Sequence, residues 1–265
     1  MNTMEVIRTR RSVRTFDGRA LTMEDLGKLA DYIESISNPY RIPVEFVFLD
    51  TEEYGLSTPV IKGEKMYIAA KAPAVKHAEE AYGYAFEKMV LYAWSLGIGT
   101  TWIGGTMKRE LFEKAAYTAE GEHMFCISPL GYPAAKMGLR EAAMRKGVRA
   151  DKRKPAKDLF FESDFSTPLD VENSPVKDAL EAVRLAPSAV NKQPWRIVRD
   201  GRKYHFYLKH DKGYADGAWD IQKIDMGIAL CHFMTMTEGT FLLEDPLYPL
   251  DSELEYIATV EIPEE

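Results

Sequence analysis

Behind Thr22, the apolar residues Leu26, Leu29, Ala30, Ile33 and Ile36 recur at helical spacing, and Ile42, Val44, Phe46 and Phe48 then alternate along a strand. Thr22 suits an N-cap, because its hydroxyl can accept an unpaired amide of the first turn. The same order returns further on. Ser174-Pro175 can open a helix carrying Ala179, Leu180, Val183 and Ala186, and Trp195 to Val198 follows as a strand. Sliding the second segment back by 150 positions sets Asp200 on Asp50 and Ile197-Val198 on Val47-Phe48. A helix too apolar for a surface comes next in each case, Val75 to Leu96 ending at Gly97, and Ile221 to Met236 ending near Gly239. Late strands close both series, over Met124 to Ser128 and Leu254 to Ile262. The pattern predicts two related α+β units, 1–150 and 151–265, joined by the charged stretch Lys146 to Lys157.

Composition narrows the class. The chain has 265 residues, 46% hydrophobic and 28% charged, which excludes a disordered, collagenous or coiled-coil protein. A formal charge of −7 argues against bulk affinity for nucleic acid or an anionic membrane. No apolar run approaches the ~18 residues of a membrane span, and the N-terminus has no secretory apolar block, so the expectation is a cytoplasmic protein. Cys126 and Cys231 lie in apolar surroundings without ligand spacing, and the five histidines show no metal-ligand pairing, so two buried thiols and no metal are expected.

Two segments depart from what core packing needs. Arg8-Thr9-Arg10-Arg11-Ser12-Val13-Arg14 concentrates four arginines and a hydroxyl in an acidic chain. Guanidinium groups and a serine hydroxyl suit a phosphate, although a solvated basic face would use the same residues. The second segment, Leu185 to Trp195, holds Ser188, Asn191 and Gln193 between Pro187 and Pro194. Its amides offer a donor and an acceptor together, as the edge of a heterocycle would need, and an ordinary turn rich in Pro, Ser and Asn is the alternative. No Gly-x-Gly-x-x-Gly turn follows a strand, since Gly97-Ile98-Gly99 follows a helix.

Arg10-Arg11-Ser12-Val13-Arg14-Thr15-Phe16 resembles the N-terminal signature of the FMN-dependent nitroreductase family, and Ala186-Pro187-Ser188-Ala189-Val190-Asn191-Lys192-Gln193-Pro194-Trp195 resembles its second. Gly97 to Gly105 and Leu130-Gly131-Tyr132-Pro133-Ala134 are similar to two further signatures. The order departs from the family. Ordinary members carry both motifs in one subunit and build each site from two subunits. Here the first half has Ile36 to Pro43 in place of the second motif, and the second half, beginning Phe160-Phe161-Glu162, lacks the arginines. The resemblance therefore implies an α+β nitroreductase-like fold with internal duplication: a single-chain pseudo-dimer of antiparallel-rich sheets surrounded by helices. It implies one FMN per chain and a second, lost site, as in the TM nitroreductase subgroup.

The resemblance also distributes roles. Arg10, Arg11 and Ser12 would take the FMN phosphate, with Arg153 of Lys152-Arg153-Lys154-Pro155 as a second anchor. Arg14 matches the position serving the N1 and C2 carbonyl edge of the ring, where a cation stabilises the reduced form. Ile103, Gly104 and Gly105 would bring backbone to N5 and O4, and glycine leaves that face open. Pro187, Ser188, Ala189 and Asn191 would line the ring and ribityl, with Gln193 alongside. Trp102, Trp195 and Tyr132 read as core or wall residues.

No catalytic side chain is implied, because hydride transfer at N5 depends on stacking and on the cofactor. The expected activity is ping-pong transfer from NAD(P)H to a nitroaromatic, quinone or related small acceptor. The alternative is a flavin-binding sensor or store without turnover. Acceptor choice would fall to the loops 50–65 and 210–220. The expected assembly is a monomeric pseudo-dimer or a weak homo-oligomer.

Overall fold

The computed structural model describes residues 2–214, 219–249 and 251–264. Of the loop 210–220, residues 215–218 lie outside the described residues. Contacts divide the chain into two compact units, Thr9–Ala150, and Asp151–Glu265 together with Asn2–Arg8. The short N-terminal helix α1 (Thr3–Thr9) thus counts almost wholly with the second unit and buries Val6 and Ile7.

In the first unit, α2 (Met23–Glu34) starts where Thr22 Oγ1 accepts the Asp25 amide at 3.1 Å. Strand β1 (Glu45–Asp50) begins later than the alternation suggests. Pro43 has no amide to give a ladder, and the Asn38 side chain closes the preceding turn by donating to Ile42 O at 2.6 Å. Strand β2 (Met66–Pro73) pairs antiparallel with β1 and is buried along nearly its whole length. Lys71 in its middle keeps its charge paired, 3.3 Å from Glu45 and 3.6 Å from Glu122.

Helix α3 (Ala78–Ser95) is buried on most faces, as expected of a helix hydrophobic all round. Gly97, at φ 79°, takes the left-handed position that ends it. Helix α4 (Arg109–Ala115) and strand β3 (Glu122–His123) follow, and β2 pairs antiparallel with β3 and with β4 (Ile127–Leu130). The expected strand at Met124 to Ser128 therefore starts only at Ile127. Side chains take the carbonyls before it: Tyr82 OH donates to Cys126 O at 2.7 Å and Arg109 Nη2 to Phe125 O at 3.0 Å. Helix α5 (Leu139–Gly147) takes in Lys146, the first residue of the charged stretch.

In the second unit a helix, two strands and a buried helix come in the same order as α2, β1, β2 and α3. Strand β5 (Phe160–Glu162) leads to α6 (Lys177–Leu185), whose buried stripe is Ala179, Leu180, Ala182 and Val183. The hairpin β6 (Trp195–Asp200) and β7 (Lys203–Lys209) turns at Gly201, φ 57°. Buried α7 (Ile221–Met236) starts with Asp220 accepting the Gln222 amide at 2.8 Å. Strands β8 (Thr240–Leu242) and β9 (Leu254–Glu261) finish the sheet, ordered β5-β6-β7-β9-β8 and antiparallel except for β5 with β6. His232 Nδ1, 2.9 Å from Ala182 O, ties α7 to α6.

Candidate functional site

The arginine segment of the first unit is extended, not helical. Val13 donates its amide to Thr100 O at 2.8 Å, Phe16 to Lys62 O at 2.8 Å, and Ser12 bridges Thr100. Glycines make room for it. A Cβ on Gly99 would come within 2.9 Å of Val13, one on Gly131 within 2.8 Å of Phe16, and one on Gly138 within 2.8 Å of Thr15 Oγ1. Separate glycine positions along the chain thus share one task, the close seating of residues 13–16.

Two buried carboxylates order the guanidiniums. Glu141 on α5 accepts from Arg11 Nη1 and from the Arg14 amide, both at 3.0 Å. Glu87 on α3 accepts from Trp102 Nε1 at 3.0 Å and lies 4.0 Å from Arg10 Nε. The Arg10 side chain is only 5% exposed, and its Nη1 is buried without a hydrogen-bond partner among the described residues. Burial pulls the Arg10 and Arg14 guanidiniums below their ordinary values; the carboxylates Glu87 and Glu141 oppose this, while Arg145 adds to it by repulsion. Arg10, Arg11 and Arg14 against Glu87 and Glu141 make a positive cluster of donors, with the buried Arg10 Nη1 unmatched among the described residues. Leaving such a group unpaired costs about 1–3 kcal/mol, so the arrangement favours an anion.

Ile103 is 3% exposed and exchanges amide bonds with Ile127, each at 2.9 Å. Gly104 and Gly105 beside it are exposed. A Cβ on Gly104 would meet nothing closer than Phe125 O at 3.7 Å, and one on Gly105 nothing within 4 Å. Packing within the chain does not require glycine at either place. Arg109 Nη2 fixes the turn by donating to Gly104 O at 2.9 Å.

In the second unit, Pro187 to Gln193 forms a 3-10 turn over Ala189–Asn191 with unusual backbone. Val190, Asn191 and Gln193 sit at φ 50°, 58° and 51°. Each left-handed non-glycine residue costs about 1–3 kcal/mol and persists only where its surroundings over-determine it. The surroundings are visible. Asp225, buried on α7, accepts the Ala189 amide at 3.0 and 3.1 Å on its two oxygens. Ser188 Oγ accepts the Gln193 amide at 2.8 Å. Burial holds the Asp225 carboxyl well above the usual range.

The amides of Asn191 and Gln193, expected on a heterocycle edge, are engaged with the chain. Asn191 Nδ2 donates to Lys152 O at 2.9 Å, and Gln193 Oε1 accepts the Lys154 amide at 2.8 Å. Arg153 Nη1 lies 3.4 Å from Asn191 Oδ1, and its Nη2 donates to Leu185 O at 3.1 Å. The Lys152-Arg153-Lys154 segment and the loop are thus one hydrogen-bonded assembly. Trp195 is fully buried, and Tyr132 OH bonds Asp25 Oδ2 at 2.5 Å.

Sequence pattern did not single out Glu87, Glu141, Arg145 or Asp225. Glu87 and Asp225 leave a trace, a charge inside a helix buried along most of its length. Glu141 and Arg145 leave none, sitting beside other charged residues in a short helix. A groove of 580 Å³ in the second unit, lined by Glu172, Ser174, Arg199, Arg202 and Ile262, contains none of these residues. No helix among the described residues is long and apolar enough to cross a membrane.

The mixed α+β architecture with its seated arginine segment defines a nitroreductase-type protein. The chain belongs to the family described as Putative TM nitroreductase, which matches residues 2–237. It is similar in fold to a putative nitroreductase from Thermotoga maritima, with TM-score 0.62 and 23% identity over 99% of this chain and 94% of that one. An FMN-dependent nitroreductase from Clostridium difficile aligns with 52% of this chain and 92% of its own length, at TM-score 0.43 and 18% identity. None of the curated proteins matches the chain. Family and fold together mark an oxidoreductase.

Proposed function

We propose that the chain is an FMN-dependent oxidoreductase that takes hydride from NAD(P)H and passes two electrons to a nitroaromatic, quinone or related small acceptor in a ping-pong cycle. The observation that carries it is Arg10, a buried guanidinium with an unmatched Nη1 in a cluster of like charge. Such a donor set fits a phosphate monoester. Bound FMN would supply reversible two-electron chemistry at its ring.

The residues divide the remaining work. Arg10, Arg11 and Ser12 hold the phosphate, and Arg153 supplies a second anchor. Arg14, its backbone fixed by Glu141, presents a cation to the edge that gains charge on reduction. Ile103 to Gly105 offer backbone without a blocking side chain. Pro187, Ser188, Ala189 and Asn191, with Gln193, shape the ring and ribityl contacts through a pre-set loop. We propose one FMN per chain, with the two units as halves of a duplicated ancestor and a small-molecule acceptor as the partner. We further propose a cytoplasmic location and a chain that works as a monomer or weak homo-oligomer.

Titration of the purified protein with FMN, followed by anaerobic NAD(P)H and then a panel of acceptors, tests this. The expected result is bound flavin that bleaches with NAD(P)H and recovers with an acceptor, with FMN affinity falling at least about tenfold in Arg10→Gln. Bound flavin that stays oxidised would instead identify a binder without turnover, and a protein that takes up no flavin would end the proposal.

A further inference from the structure

We propose that Asp225 is the positioning residue of the cofactor loop 187–193, holding it in its left-handed conformation through the Ala189 amide. The inference rests on the FMN assignment above and adds to it a residue outside every motif. Three observations carry it. The Asp225 carboxyl group is 3% exposed and turns both oxygens, at 3.0 and 3.1 Å, to one backbone N–H group. A carboxyl group so placed has given up water for that contact. The residues just past the contact, Val190, Asn191 and Gln193, all have positive φ, and Val190 is β-branched, the kind least suited to it. A loop in this state needs an anchor at its start, and Ala189 is where the anchor grips.

The third observation comes from the first unit. Sliding by 150 positions sets Pro39 on Ala189 and Arg41 on Asn191. Arg41 keeps the left-handed backbone, at φ 57°. Segment 38–41 also leans on the start of the unit's buried helix, Tyr40 stacking on His77 with centroids 5.2 Å apart. That helix carries a buried carboxylate near its start too, Glu80, 1% exposed. Proline has no N–H to give, and Glu80 turns Oε1 to His77 Nδ1, 3.3 Å away, while its Oε2 is buried without a hydrogen-bond partner among the described residues. The half that lost the cofactor motif thus lacks the amide-to-carboxyl clasp, while the half that kept the motif has it.

Three variants test the clasp: Asp225→Ala, Asp225→Asn and Ala189→Pro. Ala189→Pro removes the donor without opening a cavity, and Ser188, at φ −148° and ψ 162°, already has the extended backbone that a following proline requires. FMN affinity is read by quenching of flavin fluorescence. Hydrogen exchange over 187–194 and the melting temperature are read on the same cofactor-free samples. Asp225→Ala and Ala189→Pro should weaken FMN binding about tenfold or more and speed exchange in the loop, because the bound shape is no longer prepaid. Asp225→Asn keeps an acceptor oxygen in place and should stay within about threefold of the unaltered chain.

Unchanged affinity in Ala189→Pro, or an equal loss in Asp225→Asn and Asp225→Ala, overturns the inference. If Arg10→Gln abolishes FMN binding while Asp225→Ala and Ala189→Pro leave it intact, the clasp fails and the cofactor assignment stands. If the unaltered chain binds no FMN, both fall.

Discussion

Arg11 and Glu141, 130 positions apart, are joined by a 3.0 Å charge-assisted hydrogen bond, and the same carboxylate receives the Arg14 amide on its other oxygen. Helix α5 thereby reaches the arginine segment from outside every recognisable motif. Glu141→Ala should leave the Arg14 amide unsatisfied and the Arg11 charge without its partner. Since Arg11 is partly exposed, most of the expected loss, about 1–3 kcal/mol, comes from the amide. Urea unfolding measures it, and Glu141→Gln, which can still accept from Arg14, should lose less.

Gly99 and Val13 provide a test of the seating. An alanine at Gly99 would bring its Cβ to 2.9 Å from Val13 and push the arginine segment outward. Gly99→Ala should destabilise by about 1–3 kcal/mol, as overpacking does. Adding Val13→Ala should recover part of that loss, and a double-mutant cycle on melting temperature and FMN affinity reads the coupling. Strictly additive losses would show that the two residues do not press on one another.

The dependence of stability on pH should carry two opposite contributions. Burial lowers the pKa of His205, whose Nδ1 lies 2.7 Å from Thr259 Oγ1. The unfolded chain therefore takes up a proton first as pH drops below about 6.5, and the stability this group contributes is lost from there downward. Asp225 has its pKa raised by burial. The native state keeps a proton that the unfolded chain releases above about 3.9, so this group costs stability as pH rises. Denaturant melts from pH 4 to 8 should show His205→Asn flattening the slope below about 6.5. Asp225→Asn should be at least as stable as the unaltered chain at neutral pH.

Cys126 is shielded from chemistry. Burial pushes its thiol up to about 12, and Tyr82 OH lies 3.5 Å from its Sγ. Cys231 is buried as well. At pH 8 neither thiol should react with a disulfide reagent in the folded protein, and both should react in denaturant. Fast labelling without denaturant would contradict the packing of α3 and α7.

Periodicity read the long helices well because their faces are set by local spacing. Buried α7 runs over Ile221–Met236 as the apolar run suggests, and α2 begins at its Thr22 cap. Strand β2 escaped notice because Tyr67-Ile68-Ala69-Ala70 does not alternate; it is covered on both faces and needs no polar side. Strand β4 began late because Arg109 and Tyr82 take the carbonyls before it, and nothing local to Met124 announces partners 15 and 44 positions away. The charged run from Lys146, expected to be a joint, is partly the end of α5 and partly the segment bonded to Asn191 and Gln193.

By itself the sequence determined the motifs that mark the family and that helix, strand and buried helix come twice, because motif identity and spacing are local properties. What only the tertiary structure decided is which groups hold them. Glu87, Glu141 and Asp225 are ordinary acidic residues until folding removes water from them and brings an arginine, an indole or a backbone amide within hydrogen-bond reach. A carboxylate's strength as an anchor comes from that burial, and burial belongs to the whole fold.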